Sequence, residues 1–263
     1  MTNHAVTGPA IRVGVVGAGG RMGRAVCDAV VADDQLELVA AVDPTAVGAQ
    51  LCGVEVAAEL RALADADAHV VVDFTVASAS RVTLPWLAMH GMHAVVGTTG
   101  LSDADLDAAR HAFSGSNCVV ASNFAISAVL MMRFAEMAAP WFETAEIIEL
   151  HHDAKADAPS GTALSTAQRM AAASADWAPE TTEVEVLPGA RGGLGPAGIR
   201  VHSVRMRGMV AHQEVILGTA GQTLTIRQDS YDRLSYMPGV VMACKRVADH
   251  PGLTIGLESL LGL

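Results

Sequence analysis

The sequence predicts an α/β protein in two parts: a doubly wound parallel sheet, and a smaller α+β domain whose sheet is mostly antiparallel. Three observations carry this. Between Ile11 and Ala121, short valine-rich runs alternate with helical patterns, as in strands joined by crossover helices. The first of these runs is followed at once by a cluster of glycines. Beyond residue 180, strand-like runs follow one another with short turns and no helix between them, which favours antiparallel neighbours.

Composition sets the limits. With 263 residues, 51% hydrophobic and 17% charged, the chain is globular and can build a sizeable core. A net charge of -11 argues against nucleic acid or an anionic membrane as the main partner, so an anionic ligand would need a local cationic pocket. Met1 to Ala10 carries no basic region followed by an apolar run and reads as a loose tail, not a signal peptide. The longest apolar stretch, Phe124 to Trp141, is interrupted by Arg133 and Glu136, which makes it a buried helix and not a membrane span. Cys27, Cys52, Cys118 and Cys244 are scattered, so neither a zinc site nor a disulfide framework is indicated, and the chain reads as reduced and cytoplasmic.

Ile11 to Val16 is the first strand, Gly17-Ala18-Gly19-Gly20-Arg21-Met22-Gly23 the turn, and a helix runs on through Ala32. Glycines let the backbone approach a pyrophosphate, and the helix amino end faces its charge. The spacing is G-x-G-x-x-x-G, one residue longer than the usual fingerprint, so a plain turn is the competing reading. The second strand, Leu36 to Val42, ends in Asp43, where a Rossmann-like fold places the acid that binds the adenosine ribose. Asp43 would accept from both ribose hydroxyls of NAD and repel the 2′-phosphate of NADP. Pro44 adds no cation there, although Arg21 offers one, so the reading leans to NADH with dual use open. Asp43-Pro44 as an ordinary turn starter is the alternative. His69 to Phe74 is the third strand, followed by Thr75 and a helix from Ala77 to His90. His93 to Val96 is the fourth, and Gly97-Thr98-Thr99-Gly100 follows it at the edge where such sheets bind ligands. A helix from Leu101 to Phe113 leads to the fifth strand, Asn117 to Ala121, closed by Ser122-Asn123-Phe124.

Leu130, Met131, Phe134, Met137 and Ala138 then recur at helical spacing and read as a core face. Glu146 to Leu150 alternates as a short strand, so His151 and His152 emerge at its carboxyl end on opposite faces. Pro159 restrains the chain and Ser160 is a good N-cap. Gly161-Thr162-Ala163-Leu164 opens a helix that fades near Ser174, its amino end an anion site. A histidine can give up a proton near neutral pH, and Lys155 offers a fixed positive charge. These parts suit an acidic substrate that must accept a proton, against the plainer reading of a solvated loop with a capped helix. Zinc at His151 and His152 is disfavoured, because adjacent strand histidines diverge and no third ligand is spaced to join them. Strands are expected at Glu183 to Leu187, Ile199 to Arg207, Val210 to Leu217 and Thr223 to Gln228, with a glycine- and proline-rich loop from Pro188 to Gly198. Arg205 and Arg207 read as anion ligands or, more simply, as a solvated or subunit-facing row. Asp229 to Gly239 leads into a helix through Ala248, and Leu253 to Leu263 is a small apolar tail.

The block H-H-x-x-K-x-D-A-P-S-G-T-A closely resembles the signature of the 4-hydroxy-tetrahydrodipicolinate reductase (dihydrodipicolinate reductase) family of the diaminopimelate route to lysine. The glycine turn and the G-T-T-G loop agree with it, and the resemblance runs from about Ile11 to the end. The chain departs from some members at Tyr236-Met237-Pro238-Gly239 and at Ala211-His212-Gln213. The resemblance implies hydride transfer from NADH and/or NADPH to a small anionic cyclic dicarboxylate, with loss of water. His151 would be the proton donor with Lys155 its partner, and His152, Gly161 and Thr162 would bind a carboxylate. Gly17, Gly19, Gly20, Arg21, Met22, Asp43, Phe74, Thr75, Gly97, Thr98, Thr99, Asn123, Phe124 and Arg233 would contact the cofactor, and no metal is implied. The implied division is a dinucleotide-binding domain, 1–122 with 233–263 returning to it, and a substrate-binding and oligomerisation domain, 123–232, in a homotetramer. The alternatives are another nicotinamide-dependent dehydrogenase of a small acid, or a nucleotide-sensing protein without the chemistry.

Overall fold

A computed structural model describes residues 9–263; the loose tail expected at Met1 to Ala10 lies, for residues 1–8, outside the described residues. The chain divides into two compact units, Met1–Phe124 with Tyr236–Leu263, and Ala125–Ser235. Each crossing falls slightly later than the sequence suggested, which puts Asn123 and Phe124 in the first unit and Arg233 in the second.

The first unit begins with β1 (Ile11–Val16), α1 (Arg21–Val31) and β2 (Leu36–Val42), followed by a small hairpin of β3 (Gln50–Leu51) and β4 (Val54–Ala57) and a short α2 (Arg61–Asp65). Then come β5 (Val70–Asp73), α3 (Ala77–Met89), β6 (His93–Val96), α4 (Asp103–Ala112) and β7 (Cys118–Val120). Val13, Val15, Val71, Val72 and Val95 are wholly buried, as expected of strands covered on both faces. Helix α4 starts at a capping box: Ser102 Oγ accepts from Asp105 N–H, and the Asp105 carboxylate accepts from Ser102 N–H.

The second unit holds α5 (Ile126–Ala138), β8 (Thr144–His151), α6 (Gly161–Ala173), β9 (Gly193–Leu194), β10 (Arg200–Arg205), β11 (Ala211–Thr219) and β12 (Gln222–Ser230). Its sheet has the order β12-β11-β8-β10-β9. Pairing is antiparallel except between β8 and β10, which run parallel. The expected strand at Glu183 to Leu187 does not form. Its alternating pattern has no ladder to join, and Val186 is 95% exposed. The buried stripe of α5 is also rotated from the expected one: Ala128, Val129, Met131, Met132 and Ala135 face inward, while Phe134 and Met137 are exposed. A helix apolar nearly all round gives periodicity no face to choose.

The chain re-enters the first unit as α7 (Met237–Arg246), β13 (Leu253–Ile255) and α8 (Glu258–Leu261). The apolar tail is therefore an edge strand and a short helix. β13 pairs parallel with β7 and completes the order β13-β7-β6-β5-β1-β2-β4-β3, parallel throughout except for the β3/β4 hairpin. The order reverses beside β1, between β2 and β5, and in such sheets ligands bind outside the carboxyl ends of the strands at that point.

Gly23 is the tightest position of the turn, because a Cβ there would lie deep inside the carbonyl oxygen of Gly17 and 2.7 Å from Ala18 Cα. Both obstacles are backbone and cannot swing away. Gly23→Ala should therefore cost about 1–3 kcal/mol of stability, read as a lower urea midpoint with unchanged slope; an unmoved midpoint would mean that the turn yields freely.

Candidate active site

In the first unit the glycine turn and Asp43 are one structure. Gly17 has φ 79°, a left-handed conformation, and a Cβ on it would meet the Phe74 carbonyl oxygen at 2.9 Å. The amide N–H of Gly19 donates to Asp43 Oδ2 at 3.0 Å, and Thr45 donates its N–H (2.9 Å) and Oγ1–H (2.7 Å) to Asp43 Oδ1. Burial pushes the Asp43 carboxyl up, but these hydrogen bonds outweigh it and hold the group below the usual carboxylate range. A cavity of about 510 Å³ opens beside this carboxylate, lined by Val16, Gly17, Gly20, Asp43, Phe74 and Thr75, with Ala58, Leu60, Val76, Ala79 and Val82 forming an apolar wall. Bare glycine backbone, an anchored anion and an apolar slot fit a dinucleotide: phosphates at the turn, ribose hydroxyls at the acid, a flat base in the slot. Among the described residues no Lys, Arg or His lines the cavity. Arg21 is exposed and Met22 half-buried on the first turn of α1, and neither lines it.

The neighbouring loops are tied by a carboxylate that the sequence reading passed over. Asp73 is fully buried, and its Oδ1 accepts from Thr75 N–H (2.9 Å), Thr75 Oγ1 (2.6 Å) and Thr98 Oγ1 (3.1 Å), its Oδ2 from Ser80 Oγ (2.8 Å). Asp73 thus fixes Thr75 and Thr98 to each other. The Phe74 ring lies against Gly97, where a Cβ would overlap it, and 5.6 Å from the ring of Phe124. Phe74, Thr75, Gly97, Thr98 and Phe124 are accordingly brought together. Thr99 is exposed, Asn123 half-buried, and Arg233 lies exposed in the second unit.

In the second unit β8 ends on His151, and the centre of its surroundings is Glu149. This side chain is fully buried. Arg205 of β10 grips it with two hydrogen bonds of 2.9 and 2.8 Å, and the Ser160 N–H donates to Oε1 at 3.3 Å. Glu149 Oε2 lies 2.5 Å from His151 Nδ1. Arg205 also donates to the carbonyl of Asp157 at 2.6 Å. The reading of Arg205 as an anion ligand or solvated residue is therefore corrected: parallel pairing sets it beside His151, and its charge is spent on Glu149. Arg207, 92% exposed and bonded to Asp153, is solvated. Alternation on β8 was a sufficient signal for Glu149, two residues before His151 and on its face; Arg205 needed the strand pairing.

Burial raises the Glu149 carboxyl, but hydrogen bonds from Arg205, Ser203 and His151 outweigh that and keep it ionised below the usual range. Burial lowers the His151 pKa and outweighs the raising effect of Glu149, with Lys155 and Arg205 lowering it further. Lys155 Nζ lies 2.8 and 3.0 Å from the two oxygens of Asp157, and its N–H closes a turn on the His152 carbonyl. Ser160 Oγ accepts from Ala163 N–H and caps α6 as expected. Gly161 is exposed and Thr162 half-buried at that helix start, and His152 is exposed just beyond β8. A ring that can carry a proton, a primary amine and a helix amino end suit an anionic ligand. Among the described residues no group of three or more His, Cys, Asp or Glu is placed to hold a metal ion.

Both halves of the chain match a known family. The family model described as the N-terminus of dihydrodipicolinate reductase matches residues 11–124, and the model of its C-terminus matches residues 127–261. A 4-hydroxy-tetrahydrodipicolinate reductase from Thermobifida fusca is 53% identical over 261 residues, 96% of this chain and 100% of that one. One from Nocardia farcinica is 49% identical over 260 residues, 96% of this chain and 99% of its own. The structure of a dipicolinate-bound dihydrodipicolinate reductase from Paenisporosarcina sp. TG-14 superposes with a TM-score of 0.88 at 38% identity, covering 95% of this chain and 99% of that one. With both halves matched in order, the chain belongs to the dihydrodipicolinate reductase family.

Proposed function

We propose that this protein reduces 4-hydroxy-tetrahydrodipicolinate to tetrahydrodipicolinate with NADH or NADPH, in the diaminopimelate route to lysine. One substrate, one reduced cofactor and one proton give the product, oxidised cofactor and water. The observation that carries the reading is the turn from Glu149 to Thr162, which sets an ionisable ring, a lysine and a helix start around one buried ion pair in a chain of this family. Reduced nicotinamide, when bound, supplies the hydride. The protein's residues do the rest: His151 gives its proton through Nε2, since Nδ1 is engaged by Glu149. Lys155 leaves Asp157 to meet a carboxylate of the substrate, and His152, Gly161 and Thr162 bind the same end of it. Two substrate carboxylates favour the imidazolium and so offset the lowering of His151 by burial.

On the cofactor side Gly17, Gly19 and Gly20 take the pyrophosphate, Asp43 the adenosine ribose, and Phe74, Thr75, Gly97 and Thr98 the nicotinamide end. Arg21, Met22, Thr99, Asn123 and Phe124 complete the contacts within the first unit. A cation-free cavity wall with an ionised Asp43 favours NADH over NADPH. We also read the enzyme as a cytoplasmic homotetramer. No helix is long and apolar enough to cross a membrane among the described residues. Helices α5 and α6 cover one face of the second sheet, while Ile148, Leu150, Val204 and Ile216 on the other face are half-buried side chains suited to a second copy.

His151→Gln should lower kcat by about 10²–10⁴ while the dissociation constant of NADH stays the same; an unchanged kcat would remove His151 as proton donor. Lys155→Ala should raise the KM for substrate and lower kcat together, by about tenfold or more in kcat/KM for a lost charged hydrogen bond. If only stability changed, Lys155 would be a turn residue. Asp43→Ala should shift the ratio of kcat/KM for NADH and NADPH towards NADPH, with weaker NADH binding because Gly19 and Thr45 lose their acceptor. A fixed ratio would leave Asp43 with a purely structural role.

A further inference from the structure

We propose that Glu149 is a positioning residue for the proton transfer: its carboxylate holds the Nδ1–H of His151, so that the ring presents Nε2 to the substrate, and Arg205 holds Glu149. This rests on the reading of His151 as proton donor and adds the group that makes the ring competent.

Glu149 is fully buried and meets no solvent, so it cannot itself bind a substrate. It sits two residues before His151 on β8, hence on the same face of the strand, and the ring comes to it at 2.5 Å. An ionised carboxylate is acceptor-only, so the hydrogen in that contact belongs to Nδ1. In the neutral ring Nε2 then bears the lone pair, and in the protonated ring Nε2 bears the transferable proton. The charged groups facing His151 are Glu149 on its own strand, Arg205 on β10 and Lys155 in the following turn, whose charge is met by Asp157. Of these, Glu149 alone favours the imidazolium. Arg205, with two hydrogen bonds, keeps Glu149 ionised, so the Nδ1 proton stays on the ring while the Nε2 proton leaves. The bond from Nε2 to hydrogen breaks, its electron pair stays on nitrogen, and a new bond to hydrogen forms on the substrate; solvent later reprotonates Nε2.

The test is Glu149→Gln in the full-length enzyme. The amide keeps the size and one acceptor but loses the charge. The expected result is a fall in kcat of about tenfold or more, with substrate KM and NADH affinity little changed. The alkaline limb of the rate profile should also move to lower pH. The sign follows from the proton balance: without the carboxylate the imidazolium is held less tightly, so the protonated form is lost earlier as pH rises. A merely structural role would lower the rate or stability and leave that limb in place, which would overturn the proposal. Should the variant fail to fold, nitrogen-15 NMR of the histidines in the unaltered enzyme decides: neutral His151 protonated at Nδ1 supports the proposal, and protonated at Nε2 overturns it. If His151→Gln keeps full kcat, the parent reading has failed. If His151→Gln is inactive while Glu149→Gln leaves the pH limb in place, only this proposal has failed.

Discussion

A single ion pair, its carboxylate fully buried, organises the end of β8 and the turn beyond it in the second unit. Glu149 and Arg205 come from parallel neighbours β8 and β10, and each then reaches the turn beyond β8, Glu149 to the Ser160 N–H and Arg205 to the Asp157 carbonyl. Desolvating two charges is expensive, and the return comes only when nearly every hydrogen-bonding position is used. Here the carboxylate accepts from Arg205, His151 and Ser160, so it is fully employed. Taking away one partner of such a pair costs about 3–5 kcal/mol. The turn that carries Lys155 is thereby tied at Asp157 and Ser160 to the two strands.

The nucleotide-binding unit solves the same problem with different donors. Asp73, at the carboxyl end of β5, is as buried as Glu149 but is satisfied by hydroxyls and one backbone N–H. Its carboxylate draws the Thr75 and Thr98 loops together. Asp43 at the end of β2 does the same for the glycine turn through Gly19 and Thr45. In each unit, acids at strand ends convert loop sequence into fixed geometry. The difference is chemical: the acid of the second unit lies against a histidine and is itself held by arginine.

Much of this was legible in the sequence because the signals were local. The valine runs, the glycine turn, the Ser160 cap and the H-H-x-x-K block each express their chemistry within a few residues. What was not legible depended on pairing. Arg205 looks like a solvated strand residue until β10 is known to lie parallel to β8, with Arg205 beside His151. Glu183 to Leu187 alternates as well as a true strand, yet nothing pairs with it. The terminal Leu253 to Ile255 is too short to stand out, and only the free edge of β7 makes it a strand. Helix α5, apolar on most sides, hid which face was core.

The most direct test is the rate at which the full-length protein oxidises NADH or NADPH when supplied with freshly generated 4-hydroxy-tetrahydrodipicolinate, followed by loss of reduced-nicotinamide absorbance. The account predicts rapid turnover, faster with NADH, with one tetrahydrodipicolinate formed per cofactor oxidised. Tight nucleotide binding with no oxidation of either cofactor would contradict it.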